Sequence, residues 1–189
     1  MINRREALSR VAIIMGGTVL GAEAFLTGCK TNTKGVTFSQ TDIDFLNEVG
    51  ETILPATDTP GAKAANVGAF MQVMVSDCYE AKDQEIFMKG MEELKFKASK
   101  AKMGKAFMEA TPEERTAFLT ELDKEAKEYQ KNKQKEDPTH YFTMMKQLTL
   151  SGLFTSKIGA TEVLRYVAVP GKYEGCVPYT KGEKAWATS

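Results

Sequence analysis

The chain has 189 residues with 25 basic and 25 acidic side chains, one histidine and three cysteines. That balance argues against a nucleic-acid binder, which needs a basic stripe for phosphate contacts. The lone histidine and the sparse cysteines leave no imidazole pair for zinc and no cysteine set for an iron–sulfur cluster.

Met1 to Cys29 reads as an address followed by an anchor. Arg4 and Arg5 precede an apolar run, Val11 to Leu20, and the stretch closes on Leu26-Thr27-Gly28-Cys29. The run is shorter than the roughly 20 apolar residues of a permanent membrane span, so residues 1–28 are expected to be a cleaved export signal. Its last four residues resemble a bacterial lipobox, which implies lipid attachment at Cys29. The twin arginines resemble a twin-arginine signal. Asn3 and Ala7 depart from that pattern, which leaves twin-arginine and general export both open. Residues 29–189 carry 22 basic and 23 acidic side chains, so lipid rather than charge is expected to hold the protein at a membrane.

Residues 30–37 are polar and read as a tether, with the folded domain expected over 38–189. Ser39 and Asp42 form a capping box, with Phe38 and Ile43 as a hydrophobic staple. Ile43, Leu46, Val49 and Ile53 follow at helical spacing, with Asn47 and Glu48 on the other side. Pro55 ends this helix. Pro55 to Gly61 is a turn-rich connector in which Gly61 permits positive φ. Asp58 there offers too few oxygen ligands for calcium.

A second helix is expected over Asn66–Tyr79, burying Val67, Phe70, Met71, Met74 and Cys78. A third, Asp83–Met103, turns Phe87, Met91, Leu94, Ala98 and Ala101 inward. Lys95, Lys97, Lys100, Lys102 and Lys105 interleave with glutamates and read as a solvated face. Thr111-Pro112-Glu113-Glu114 starts a fourth helix. Phe118, Leu122, Ala126 and Tyr129 form its inner stripe, and Asp123 pairs with Lys127. The fifth helix, from Thr139 to about Phe154, is apolar well beyond one stripe, so it is either central to the core or covered by a partner. His140 reads as a first-turn residue rather than a catalyst. Beyond an ambiguous Thr161–Val169, the chain ends in an irregular tail. The fold class is all-α: a compact bundle of about five helices with that tail. Cys78 and Cys176 are compatible with a mutual disulfide, two buried thiols, or a bond to a partner chain. No catalytic, cofactor-binding or metal-ligating set stands out.

From residue 38 onward the chain resembles the gluconate 2-dehydrogenase subunit 3 family. The carrying residues are Phe45-Leu46, Glu51-Thr52-Ile53-Leu54-Pro55, Thr59-Pro60-Gly61-Ala62, Phe107, Thr111-Pro112-Glu113-Glu114-Arg115, Phe142 to Thr149, Gly152 to Ser156, and Pro170-Gly171 with Tyr173. The resemblance implies a non-catalytic subunit that escorts, stabilises and anchors an exported FAD-dependent dehydrogenase of the glucose–methanol–choline type, acting on sugars or sugar acids. FAD is then expected in the partner and no cofactor in this chain. Lys30 after Cys29 resembles lipoproteins of the outer rather than the inner membrane, facing the periplasm. The expected partner interface comprises Phe142, Met145, Leu150, Leu153 and Phe154 on the fifth helix, and Pro170, Gly171, Tyr173, Pro178 and Tyr179 in the tail. The alternative is a stand-alone structural or binding lipoprotein of the cell envelope.

Overall fold

The computed structural model describes residues 36–169, 171–172 and 175–187. Arg4, Arg5, Cys29, Pro170 and Tyr173 lie outside the described residues, and so do the readings placed on them. Among the described residues the fold is helical and contains no strand. Six α-helices appear where five are expected: α1 Gln40–Ile53, α2 Val67–Val73, α3 Ala81–Glu92, α4 Ala98–Met103, α5 Pro112–Asn132 and α6 Tyr141–Thr155.

The capping boxes form as expected. The Ser39 hydroxyl accepts from the Asp42 N–H while the Asp42 carboxylate accepts from the Ser39 N–H at 2.8 Å. Thr111 and Glu114 do the same for α5. The N-cap of α6 is His140, not a first-turn residue: its Nδ1 accepts from the Phe142 N–H at 3.2 Å. Such a side-chain acceptor satisfies one of the orphan donors of a helix start.

The core joins Phe45, Leu46 and Val49 of α1 to Val67, Met71, Phe87, Met91, Phe118 and Leu122. α6 runs through the middle of it and packs against α1, α2, α3 and α5. Its breadth of apolar residues is therefore explained within the chain. Phe142, Met145 and Leu153 are buried, which removes them from the expected partner interface. Close approach at α3 depends on Gly90, where an added Cβ would fall 2.1 Å from the Tyr141 ring.

The helical periodicity drifts at three wide π-helical turns: Met74–Cys78, Glu93–Lys97 and Gly159–Val163. In a wide turn the hydrogen bond reaches i+5, so the same face recurs later than the α-period of about 3.6 residues. Val67, Met71 and Val75 are accordingly buried at intervals of four, and Cys78 turns out to solvent. The expected burial of its thiol is corrected. So is the second half of the long third helix, where Ser99 is buried and Ala101 is exposed. Cys78 and Cys176 are both free and exposed, so they share no disulfide in this structure.

The tail is anchored at one place. Arg165 and Trp186 form an isolated parallel bridge, with Arg165 N–H donating to the Ala185 carbonyl and Ala187 N–H to the Arg165 carbonyl. The Arg165 guanidinium lies 3.8 Å from the centre of the Trp186 ring, a cation–π contact. The N-terminal end of the described chain is also held, because the Ser76 hydroxyl donates to the Val36 carbonyl and Phe38 packs edge-on to Phe87.

Candidate interaction surface

The most organised polar arrangement is a clasp that ties α1 to α5. Arg115 is its centre. Nη1 donates to the Glu48 carboxylate at 2.8 Å, Nε to the Phe107 carbonyl at 3.0 Å and Nη2 to the Met108 carbonyl at 2.9 Å. The guanidinium also lies over the Phe107 ring. Lys63 closes on the other oxygen of Glu48. Burial alone would raise the Glu48 carboxyl, but the hydrogen bond and charge of Lys63, then Arg115, hold it below the ordinary range.

One turn on, Glu51 organises the connector. Its two oxygens accept from the Ala56 and Lys63 N–H groups, each at 2.8 Å. A carboxylate that accepts two backbone donors locks a loop firmly. Gly61 is required by that closeness, since a Cβ there would sit 2.5 Å from Glu51 and from the Ala56 nitrogen. It does not adopt positive φ, which corrects the reason expected for it. Asp58 stays exposed on the loop.

Two further polar residues read as solvent-facing are internal. Asn47 is buried, accepting from Gly68 N–H at 2.8 Å and donating to Asn66. Lys95 is the exception within the lysine series, because it pairs with Asp42 and lies over the Phe45 ring. Lys102 pairs with Glu121 and Lys105 with Glu114, as befits a solvated face. Asp123 pairs with Lys127 as expected, and also with Lys146 of α6.

None of this assembles a reacting centre. Among the described residues no group of three or more His, Cys, Asp or Glu could hold a metal ion. A groove of about 250 Å³ between α1, α5 and α6 has Leu119 and Phe142 as floor. The hydroxyls of Thr52, Thr116 and Thr120 along it donate to helix carbonyls. His140 lines a second groove beside Tyr129; its imidazole is held below its ordinary pKa by burial, against the pull of Glu125 and Glu93. It caps a helix. No helix among the described residues is long and apolar enough to cross a membrane.

What remains of the expected interface is smaller and split. Leu150 and Phe154 stand exposed one turn apart on α6. In the tail Gly171, Pro178 and Tyr179 are exposed, Tyr179 at 83%. The clasp around Arg115 and the Arg165–Trp186 contact were not foreseen from sequence. The only available signal for the clasp was the proximity of Glu48 and Glu51 to a T-P-G-A loop and of Arg115 to T-P-E-E, motifs that converge in space.

Comparison with known proteins agrees with that convergence. No curated protein and no solved structure matches the chain. The family model of gluconate 2-dehydrogenase subunit 3 matches residues 40–171, which takes in the clasp, all six helices and the start of the tail. The chain belongs to the gluconate 2-dehydrogenase subunit 3 family.

Proposed function

We propose that this protein is a non-catalytic accessory subunit that escorts and stabilises an exported FAD-dependent dehydrogenase of the glucose–methanol–choline type and anchors it to a membrane. The family match over residues 40–171 carries the reading, because it is the family of a subunit of an oxidoreductase complex. The partner supplies FAD and oxidises a sugar or sugar acid. This chain supplies the signal around Arg4-Arg5, the lipid at Cys29 and a docking face. Leu150 and Phe154 are the exposed apolar pair on α6 that best suits docking, since apolar anchors in a small patch dominate such contacts. The complex faces the periplasm from the outer membrane.

Native purification under mild conditions tests this. A flavoprotein is expected to co-purify, with flavin absorbance in the same peak. Recovery of the chain alone, under conditions that preserve other envelope complexes, refutes the accessory role.

A second reading, a stand-alone envelope lipoprotein, is favoured by one observation: Phe142, Met145 and Leu153 are covered by the chain itself. It predicts a monodisperse monomer whose behaviour is unchanged by Leu150→Ala and Phe154→Ala.

A further inference from the structure

Charge is distributed unevenly along the folded chain. Residues 36–164 contain 21 acidic and 16 basic side chains, net −5, whereas residues 165–187 contain four basic and two acidic ones, net +2. The same short tail holds half of the exposed large apolar side chains found among the described residues: Tyr166, Val167, Val169, Val177, Tyr179 and Trp186. An acidic body thus ends in a basic, aromatic segment.

The clasp described above gathers part of that segment into one patch. Pairing of Arg165 with Trp186 sets Tyr166 and Val167 beside Trp186 and Ala187. Lys184 reaches the Glu162 carbonyl and Glu183 lies near the Arg165 guanidinium, fixing the base of the loop. Trp186 is nevertheless 49% exposed, so one side of its ring rests on Arg165 and the remainder meets solvent.

We propose that residues 165–187 form a surface that lies on an anionic lipid bilayer, with the aromatic rings at headgroup depth and the basic side chains against the phosphates. Three observations favour lipid over protein as the occupant. Tyr and Trp interleaved with Lys and Arg is the composition that settles at a membrane–water interface. Protein interfaces instead deplete lysine from an apolar centre. Neither groove of the body includes tail residues, whereas a fluid bilayer requires no shaped cleft. The net −5 of the body repels an anionic surface while the tail is drawn to it, which gives the contact a direction. Such a patch orients a protein already held at the membrane, because each basic residue near an anionic surface is worth only about a fivefold change in binding.

The inference rests on the reading that the chain resides at a membrane. It reassigns the tail, and leaves Leu150 and Phe154 for a protein partner. Trp186 is the only tryptophan in the chain, so its fluorescence reports on this patch alone. The mature protein, with its own N-terminus, is reconstituted into vesicles of phosphatidylcholine alone or mixed with phosphatidylglycerol, with and without brominated lipid. Blue-shifted emission and strong quenching are expected in the mixed vesicles, with less of both in neutral vesicles or at high salt. Replacing Lys172, Lys181 and Lys184 by Gln should remove most of the quenching while leaving the helical melt unchanged. Quenching that is absent in both vesicle types, or equal in the two, overturns the proposal. So does loss of flavoprotein co-purification in the lysine variant with Trp186 unquenched, since the tail then belongs to a protein contact. Quenching without any co-purifying flavoprotein upholds the lipid surface and defeats only the accessory role.

Discussion

Arg115 offers the sharpest test of how this domain is held together. It makes three hydrogen bonds from one planar group, to Glu48 and to the carbonyls of Phe107 and Met108, and its side chain is only 14% exposed. In Arg115→Lys the ammonium can follow Glu48 but cannot hold both carbonyls, because a point charge lacks the fork geometry. Two hydrogen bonds from a charged donor would contribute about 1.5–3 kcal/mol each. Met108 lies near solvent, so water recovers part of this, and a net loss of about 2 kcal/mol is expected. Arg115→Ala also leaves Glu48 half-buried with Lys63 as its remaining partner, which brings the loss to about 3–4 kcal/mol. At roughly 2–4 °C per kcal/mol for a chain of this size, Arg115→Lys should melt about 4–8 °C lower. Circular dichroism during urea and thermal unfolding measures both variants. Glu48→Gln in the Arg115→Ala background should recover about 1–3 kcal/mol of coupling. If Arg115→Lys stays within about 0.5 kcal/mol of the parent, the three bonds do not stabilise the fold as described.

Acid should weaken the domain in a defined way. Asp42, Glu48 and Asp123 each sit below their ordinary pKa, because pairing with Lys95, with Lys63 and Arg115, and with Lys127 and Lys146 outweighs burial. A carboxyl depressed on folding adds stability above its unfolded pKa, near 4, and that stability is lost as pH falls through the folded value. Urea midpoints should therefore fall below about pH 4, and less so in Asp42→Asn or Glu48→Gln. Gly90→Ala drives a methyl into the Tyr141 ring near its root, so despite better helix propensity it should destabilise by about 1–3 kcal/mol. A maleimide should modify both Cys78 and Cys176 in the native protein without denaturant, as both thiols are free and exposed; protection of the pair would show a disulfide instead.

Where the chain talks to its near neighbours, the sequence was readable. Ser39 with Asp42 and Thr111 with Glu114 declare helix starts three residues apart, and Phe87, Met91 and Leu94 keep helical spacing up to the first wide turn of their segment. Residues whose partners come from afar were misread as surface. Asn47 finds Gly68 across 21 positions, Lys95 finds Asp42 across 53, and Arg115 finds Glu48 across 67. A polar residue opposite an apolar stripe looks solvated until another helix covers it. The interface failed for the converse reason. The apolar excess of α6 was visible, but not that α1, α2, α3 and α5 surround it and leave Leu150 and Phe154 outside. The match to the family was legible in the motifs, although the clasp they build was not.

The wide turn at Glu93–Lys97 makes this stretch of chain sensitive to residue count rather than residue identity. Removing any one of its five residues restores ordinary helical pitch and rotates everything downstream by about 100°. Ser99 would then leave its partner, the Leu94 carbonyl, and Lys102 would swing away from Glu121. Substitutions at exposed positions such as Glu92 should pass unnoticed, while a one-codon deletion beside them should not. In this family the turn is a place where an alignment gap carries structural information that an amino-acid difference does not.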